Sequence, residues 1–247
     1  MNKETKKKFY FTSNYGFFFG KLNDNLLHKH FASQITIAES NSFELITDDH
    51  CIKTTACYIE PNQNHRLKCE SDQLTILINP LSRVGHYLNL VHKNEKLLKL
   101  NENIAKELRF FLIEYIQNNS SFDEFCQHIN SILNQFLCNC EEEIHIKDDR
   151  ILKAIHYLDM NFERTISLKE VADYCFLSEG RLLHLFKEKT GLNFRRYQLW
   201  NKLIKSLPSL TKNNITVTAH QHGFSDSSHY TKTFKETFGV TPKFFLS

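Results

Sequence analysis

The sequence predicts an α+β chain with a β-barrel or sandwich first, a helical pair after it, and an all-α region last. Three observations carry this. Short aromatic and β-branched runs alternate with turn signals up to residue 92, apolar residues then recur at helical spacing to residue 140, and residues 149–247 follow a helical pattern that repeats itself. The chain has 247 residues, 41% of them apolar and 24% charged, an ordinary globular balance. No apolar run approaches the roughly 18 residues of a membrane span. Met1 to Lys8 is lysine-rich with no apolar signal-peptide core after it, and the seven cysteines are odd in number and scattered, so the sequence reads as a cytoplasmic protein with reduced thiols and no membrane partner. The net charge of +3 is unevenly spread. Residues 149–247 hold 15 Lys/Arg against 9 Asp/Glu, and residues 1–148 hold 16 against 19, which points the C-terminal part toward a polyanion.

From Phe9 to His92 the runs Phe9-Tyr10-Phe11, Gly16-Phe17-Phe18-Phe19-Gly20, Ile35-Thr36-Ile37, Phe43-Glu44-Leu45-Ile46 and Leu74-Thr75-Ile76-Leu77-Ile78 read as strands, separated by Asn23-Asp24-Asn25, Asp48-Asp49 and Pro61-Asn62-Gln63-Asn64. From Asn94 to Cys140, Leu97, Leu100, Ile104, Leu108, Phe111 and Tyr115 stripe one helix. After the break at 118–121, with Ser121 as N-cap, Phe122, Phe125, Ile129, Ile132 and Phe136 stripe a second. This pair has more apolar surface than it can bury on itself, so it packs on the β region, on a second copy of the chain, or on both. The organisation expected is a domain of strands and a helix pair over 1–140, a charged linker over 141–148, and a helical domain over 149–247.

The helical domain contains one plan twice, at Ser167 to Lys187 and at Thr216 to Lys235. Each copy has a short helix with a central alanine (Ala172, Ala219), a tight turn, and a longer helix ending near Phe-Lys, with the second copy one residue out of register. The small alanine lets two helices cross closely, and Ser178 in one copy and Ser225 or Asp226 in the other are placed to cap the second helix. Leu182, Leu185 and Phe186, or Tyr230, Thr233 and Phe234, face inward. Arg181 and His184, or Ser227, Ser228, His229 and Lys232, face outward, and these residue types read base edges or phosphates. A plain αα corner would explain either copy alone, but two in tandem in the basic part favour a nucleic-acid surface. Asn193 to Leu207 reads as one joining helix with Phe194, Tyr197, Trp200, Leu203, Ile204 and Leu207 on its apolar side. At 1.5 Å per residue it spans about 23 Å. With the widths of the flanking motifs added, the two outward helices would sit about 34 Å apart, one turn of duplex. Arg195 and Arg196 at its start suit the intervening phosphates or form a solvated pair.

These residues resemble the AraC/XylS family of bacterial transcription regulators. The resemblance covers 149–247 and rests on Ser167-Leu168 through Ala172, Leu177-Ser178, Leu182, Leu185-Phe186-Lys187, Thr190-Gly191, Arg196-Tyr197, Ala219, Gly223-Phe224-Ser225, His229-Tyr230, Phe234-Lys235 and Phe238-Gly239-Val240-Thr241-Pro242. It implies a DNA-binding regulator, typically an activator, that places two recognition helices in successive major grooves and contacts RNA polymerase. The base-contact positions it implies are Gly180, Arg181, Leu183 and His184, then Ser227, Ser228, His229, Thr231 and Lys232. Lys187, Arg195, Arg196 and Lys235 join them as DNA-binding positions. It also implies a cupin-like barrel that binds a small-molecule effector and a helix pair, here 94–140, that forms a homodimer. The sequence departs from the family pattern at Asn201, Ile204 and Leu207-Pro208, where the proline is expected to end the joining helix early. It departs again at Thr218-Ala219 and His222, polar positions expected to weaken the second motif, and at the arginine-free end Phe244-Phe245-Leu246-Ser247.

His28-Lys29-His30, with Glu39 and Pro61 to His65 downstream, resembles a cupin metal constellation. Polar histidines at a barrel rim explain the same residues, and with only seven glycines in the chain the expectation is no metal and no cofactor. Cys138-Asn139-Cys140 has no second ligand pair in the sequence nearby. Nucleotide-binding glycine loops, nucleophile elbows and paired-histidine metalloprotease helices are missing, so the chain reads as a non-enzyme. Two alternatives stand beside the regulator: a metal-dependent cupin enzyme with a vestigial helical tail, and an interaction module that has lost DNA binding.

Overall fold

A computed structural model describes residues 9–21, 25–92, 97–98, 100–140, 146 and 148–245. The chain forms two compact units, Met1–Cys138 and Asn139–Ser247. The lysine-rich N-terminus and, apart from Ile146 and Asp148, the charged linker lie outside the described residues.

In the first unit the aromatic and β-branched runs become β1 (Phe9–Phe11), β2 (Tyr15–Lys21), β3 (Ser33–Ala38), β4 (Phe43–Thr47), β5 (Cys51–Thr54), β6 (Ala56–Ile59), β7 (His65–Lys68) and β8 (Asp72–Ile78). With β9 (Leu97–Leu98) they make a six-stranded antiparallel sheet in the order β1-β2-β8-β3-β6-β9 and a three-stranded one in the order β5-β4-β7. Central β8 holds the register of both neighbours, with Ile76 opposite Phe17 and opposite Ile35. All six residues of β3 are buried, since each face of the large sheet is covered. One face carries Phe17, Phe19, Ile35, Ile37, Leu74, Ile76 and Tyr58 into a core shared with the helices, and the other carries Ala38, Cys57 and Ile59 against Phe43, Leu45 and Leu67 of the small sheet.

Helix α1 (Arg83–Val91) lies inside the region read as strands, so that expectation is corrected there. Ser82 caps it through Gly85 N, and a Cβ at Gly85 would stand 2.1 Å from Asn79 O, so glycine is what lets this turn close. The helix pair is α2 (Glu102–Ile116) and α3 (Phe122–Asn134). Leu97, expected on the first helix, is instead in β9 opposite Ile59, because pairing with the edge of the large sheet outweighs its helical spacing. Ser121 caps α3 in a capping box with Glu124. The pair packs on the large sheet: Phe125 meets Phe17 edge-on at 5.3 Å, and Tyr115 meets Phe19 edge-on at 5.4 Å. Burying each such ring contributes roughly 1.5–3 kcal/mol.

The second unit is α4 (Asp149–Met160), α5 (Leu168–Tyr174), α6 (Glu179–Thr190), α7 (Phe194–Leu210), α8 (Ile215–Gln221), α9 (Ser227–Phe238) and a closing 3-10 turn, Pro242–Phe245. Pro208 does not end α7 early. Leu207 and Leu210, each 1% exposed, hold the last turn on the core, and that packing outweighs the one backbone bond the proline forfeits. Among the described residues no helix is long and apolar enough to cross a membrane.

Candidate nucleic-acid interface

The two repeats fold alike down to the turn. Ala172 and Ala219, 1% and 0% exposed, sit where each short helix meets the longer one. Leu177 N bonds Ala172 O at 2.9 Å, and Phe224 N bonds Ala219 O at 3.0 Å, so the two turns close identically. Cys175 and His222 cap the short helices, and the next residue in each turn has positive φ: Phe176 at 55° and Gly223 at 69°. Only after the turn do the copies diverge. Ser178 accepts from Arg181 N, and Asp226 accepts from His229 N at 2.7 Å, so α9 starts one residue later in its repeat than α6. The extra residue is Ser225, and Asp226 rather than Ser225 is the cap.

Phe176 is 91% exposed yet holds a left-handed backbone that its β-carbon disfavours by about 1–2 kcal/mol. Glycine at that position gives back part of the gain through the unfolded chain, about 0.5–1 kcal/mol. Phe176→Gly should therefore stabilise the protein by about 0.5–1 kcal/mol in urea unfolding; a loss of stability would show that the ring packs on something.

Each longer helix buries the face the sequence assigns inward. Leu182, Leu185 and Phe186 are buried on α6, and Tyr230, Thr233 and Phe234 on α9. On the opposite side Gly180, Arg181, Leu183, His184 and Lys187 of α6 are all exposed. A Cβ at Gly180 would meet nothing within 4 Å, so the helix offers an open approach there. On α9, Ser228, His229, Lys232 and Lys235 are exposed, and Ser227 and Thr231 are half-buried. His184 Nδ1 lies 3.7 Å from Glu188, and Lys232 Nζ lies 4.0 Å from Glu236, both exposed pairs that hold little energy in water. His229 Nδ1 meets Ser225 Oγ at 3.1 Å. Arg195 and Arg196 occupy the first turn of α7, which holds no acidic residue, although the positive end of a helix dipole disfavours cations. Two exposed arginines kept in that place suit an external anion.

The joining helix holds more than the apolar stripe read from the sequence. Tyr197, Leu203 and Leu207 are buried as expected, but so are Gln198, Asn201, Lys202 and Ser206. Gln198 bonds both the N and O of Ile166, and Asn201 bonds Leu158 O. Lys202 donates to Thr165 Oγ1 at 3.0 Å and Gly223 O at 2.8 Å, and Ser206 Oγ meets Tyr230 OH at 2.9 Å. Burial lowers the Lys202 ammonium to about pKa 8. These side chains fasten α7 to the segment before the first motif and to the turn of the second. Their spacing at 198, 202 and 206 was visible as a polar row at helical period, but nothing in the sequence says that the row is buried.

The polar positions of the second motif are satisfied. His222 Nδ1 pairs with Thr218 O at 2.9 Å and its ring stacks on Phe162, while Thr218 Oγ1 meets Ser209. Phe224, Tyr230, Phe234 and Phe238 complete that core.

A family model described as a helix-turn-helix domain matches residues 171–247. Over 100 residues, 40% of this chain, the sequence is 30% identical to an uncharacterized HTH-type transcriptional regulator of Staphylococcus aureus, and the match spans 13% of that protein. Over 98 residues, 39% of this chain, it is 28% identical to the regulatory protein PocR of Salmonella typhimurium, with 32% of PocR covered. The chain thus matches a third or less of the length of these relatives. Among solved structures, apo ToxT from Vibrio cholerae, as a single-residue variant, aligns at TM-score 0.62 over 96% of this chain and 98% of its own, at 17% identity. Unsaturated fatty acid bound ToxT aligns at 0.58 over 96% of both chains, at 14% identity. The likeness shows a shared fold: an N-terminal unit of antiparallel sheets followed by a helical one.

Proposed function

We propose that the chain is a regulator of the AraC/XylS type, a sequence-specific DNA-binding transcription regulator whose α6 and α9 enter successive major grooves. The observation that carries this is the pair of like-built motifs, each with a packed inner face and an outer face of Arg, His, Lys and Ser, fastened to one continuous helix. Arg181 and His184 in α6, and Ser227, Ser228, His229, Thr231 and Lys232 in α9, read base edges. Gly180 and Leu183 contribute close approach and contact with a thymine methyl, and Lys187, Arg195, Arg196 and Lys235 hold phosphates. The complete core and caps of this unit argue against a vestigial tail on an enzyme.

The N-terminal unit, on this reading, senses a small-molecule effector. Gln73 and Thr75 point their polar atoms into the interior without a protein partner for Gln73 Nε2, Gln73 Oε1 or Thr75 Oγ1, a state costing about 1–3 kcal/mol per group unless water or a ligand supplies the bond. The 94–140 region forms the homodimer contact, supported by Phe110 of α2, which stays 56% exposed. The regulator works in the cytoplasm as an activator in contact with RNA polymerase.

The test is footprinting on duplexes selected from a genomic pool. Protection of two major-groove segments one turn apart is expected, and a single protected segment would overturn the arrangement. His184→Ala and Lys232→Ala should each weaken binding by about 1–3 kcal/mol, with His184→Ala also relaxing base preference in a selection experiment. Unchanged affinity in both would remove the groove assignment.

A further inference from the structure

Three histidines of the N-terminal unit converge beneath the surface. His28 and His30 precede β3, and His65 opens β7; they are 7%, 5% and 1% exposed, not the rim residues the sequence suggests. An antiparallel bridge between His28 and His65, N to O at 3.0 and 2.9 Å, sets their backbones side by side. The ring centroids lie 4.3 Å apart for His28 and His65, 5.1 Å for His30 and His65, and 5.6 Å for His28 and His30. One ring nitrogen from each falls within 4.8 Å of the others.

The hydrogen bonds fix which nitrogens these can be. Nδ1 of His28 meets Leu26 O at 2.8 Å, Nδ1 of His30 meets Ala32 O at 2.9 Å, and Nδ1 of His65 meets Gln63 O at 2.9 Å. A backbone carbonyl only accepts, so each Nδ1 carries the proton and each Nε2 of a neutral ring carries the lone pair. Backbone carbonyls hold metal-binding imidazoles in this way. All three rings are buried, which favours the uncharged imidazole that a metal needs. His65 Nε2 is buried with no hydrogen-bond partner. The Gln34 amide reaches His30 Nε2 at 2.8 Å with one end and Thr36 Oγ1 at 2.9 Å with the other; with its nitrogen toward His30 it donates to the ring, and with its oxygen there it adds a donor beside the ring nitrogens. Donors at about 2.0–2.1 Å from one ion stand roughly 3.0–3.4 Å apart, so small ring rotations close the site. Glu39, which the sequence placed with these histidines, is not among the clustered ligands; Gln34 stands beside His30 instead.

We propose that His28, His30 and His65 bind one divalent transition-metal ion of the zinc class through their Nε2 atoms, with the Gln34 amide oxygen as fourth donor. Imidazole nitrogens and an amide oxygen suit zinc and its neighbours rather than calcium or magnesium. Bound there, the ion ties the segment before β3 to β7 and so fixes the small sheet. The site stands apart from the DNA reading, and its failure would leave that reading untouched.

The test uses the full chain, stripped with a chelator and titrated with cobalt(II), then zinc. One cobalt per chain is expected, with d–d absorption, without thiolate charge-transfer bands, and displaced by equimolar zinc. Zinc should raise the melting temperature, and His28→Gln and His65→Gln should each weaken zinc binding at least about tenfold. Nitrogen-15 histidine spectra of the unaltered chain keep the proposal testable if the variants fold poorly: zinc should shift three Nε2 resonances and leave the Nδ1 protons in place. Absence of binding at micromolar zinc, full stoichiometry in His65→Gln, or unmoved Nε2 resonances would each overturn it and leave a buried water as the occupant.

Discussion

Raising monovalent salt from about 50 to 200 mM should weaken operator binding roughly a thousandfold. Six exposed cations lie on the proposed surface: Arg181 and Lys187 on α6, Arg195 and Arg196 at the start of α7, Lys232 and Lys235 on α9. Each neutralised phosphate contributes about 0.9 to the slope of log affinity against log salt, so six give a slope near 5 and a fourfold rise in salt gives about 10³. Carboxylates work against this. Glu236 sits beside Lys232, and Glu188 pairs with Lys189 at 2.6 Å and lies near His184, so part of the cation field is already spent within the protein. Fluorescence anisotropy with a selected duplex across a salt series measures the slope. Arg195→Ala and Arg196→Ala should each lower it by about 1 on every sequence tested, the mark of a phosphate contact. A slope below about 2 would mean that these cations are a solvated face.

What the sequence told of this surface and what it withheld have physical reasons. The helix caps were legible because a cap is a local event: Ser121, Ser178 and Asn193 each accept from a backbone N–H three residues on, and a short polar side chain before an apolar period is enough to mark the place. The inner and outer faces of α6 and α9 were legible for the same reason, since 3.6-residue periodicity reports which side meets a core. Helix α1 was not, because its nine residues carry no long stripe and its start depends on Gly85 passing Asn79 O. The spacing of Leu97 suggests a helix, whereas a strand of two residues is fixed by its partner, Ile59, far away in sequence. The burial of Lys202 was hidden for a related reason: its partners Thr165 and Gly223 come from different segments, and only the assembled fold brings them to one ammonium. The three histidines show both sides, for the His-x-His spacing is plain in the sequence, while their tautomers follow from carbonyls of Leu26, Ala32 and Gln63 that no pattern in the sequence marks.

Gly223→Ala should cost about 2–4 kcal/mol of stability in the C-terminal unit and reduce a two-segment footprint to one. Two effects combine at this residue. Its φ of 69° is a conformation that an added β-carbon penalises by about 1–2 kcal/mol. That carbon would also lie 2.7 Å from Glu163 O and 2.8 Å from Glu163 C, backbone atoms that a side-chain rotation cannot move aside. The turn must therefore shift, and the shift acts on Lys202, whose ammonium is held by Gly223 O. Losing that acceptor strands a half-desolvated cation next to the displaced turn. Phe176, the matching residue of the first motif, tolerates a side chain at positive φ because its own is 91% exposed; the difference between the two turns is contact, not backbone shape. Urea unfolding of the variant gives the energy, and footprinting gives its consequence. Since the damage is confined to the second turn, protection by α6 should survive while protection by α9 is lost. Loss of both segments together would show that the motifs bind only as a pair, and a footprint unchanged despite the expected destabilisation would show that α9 is not seated in a groove.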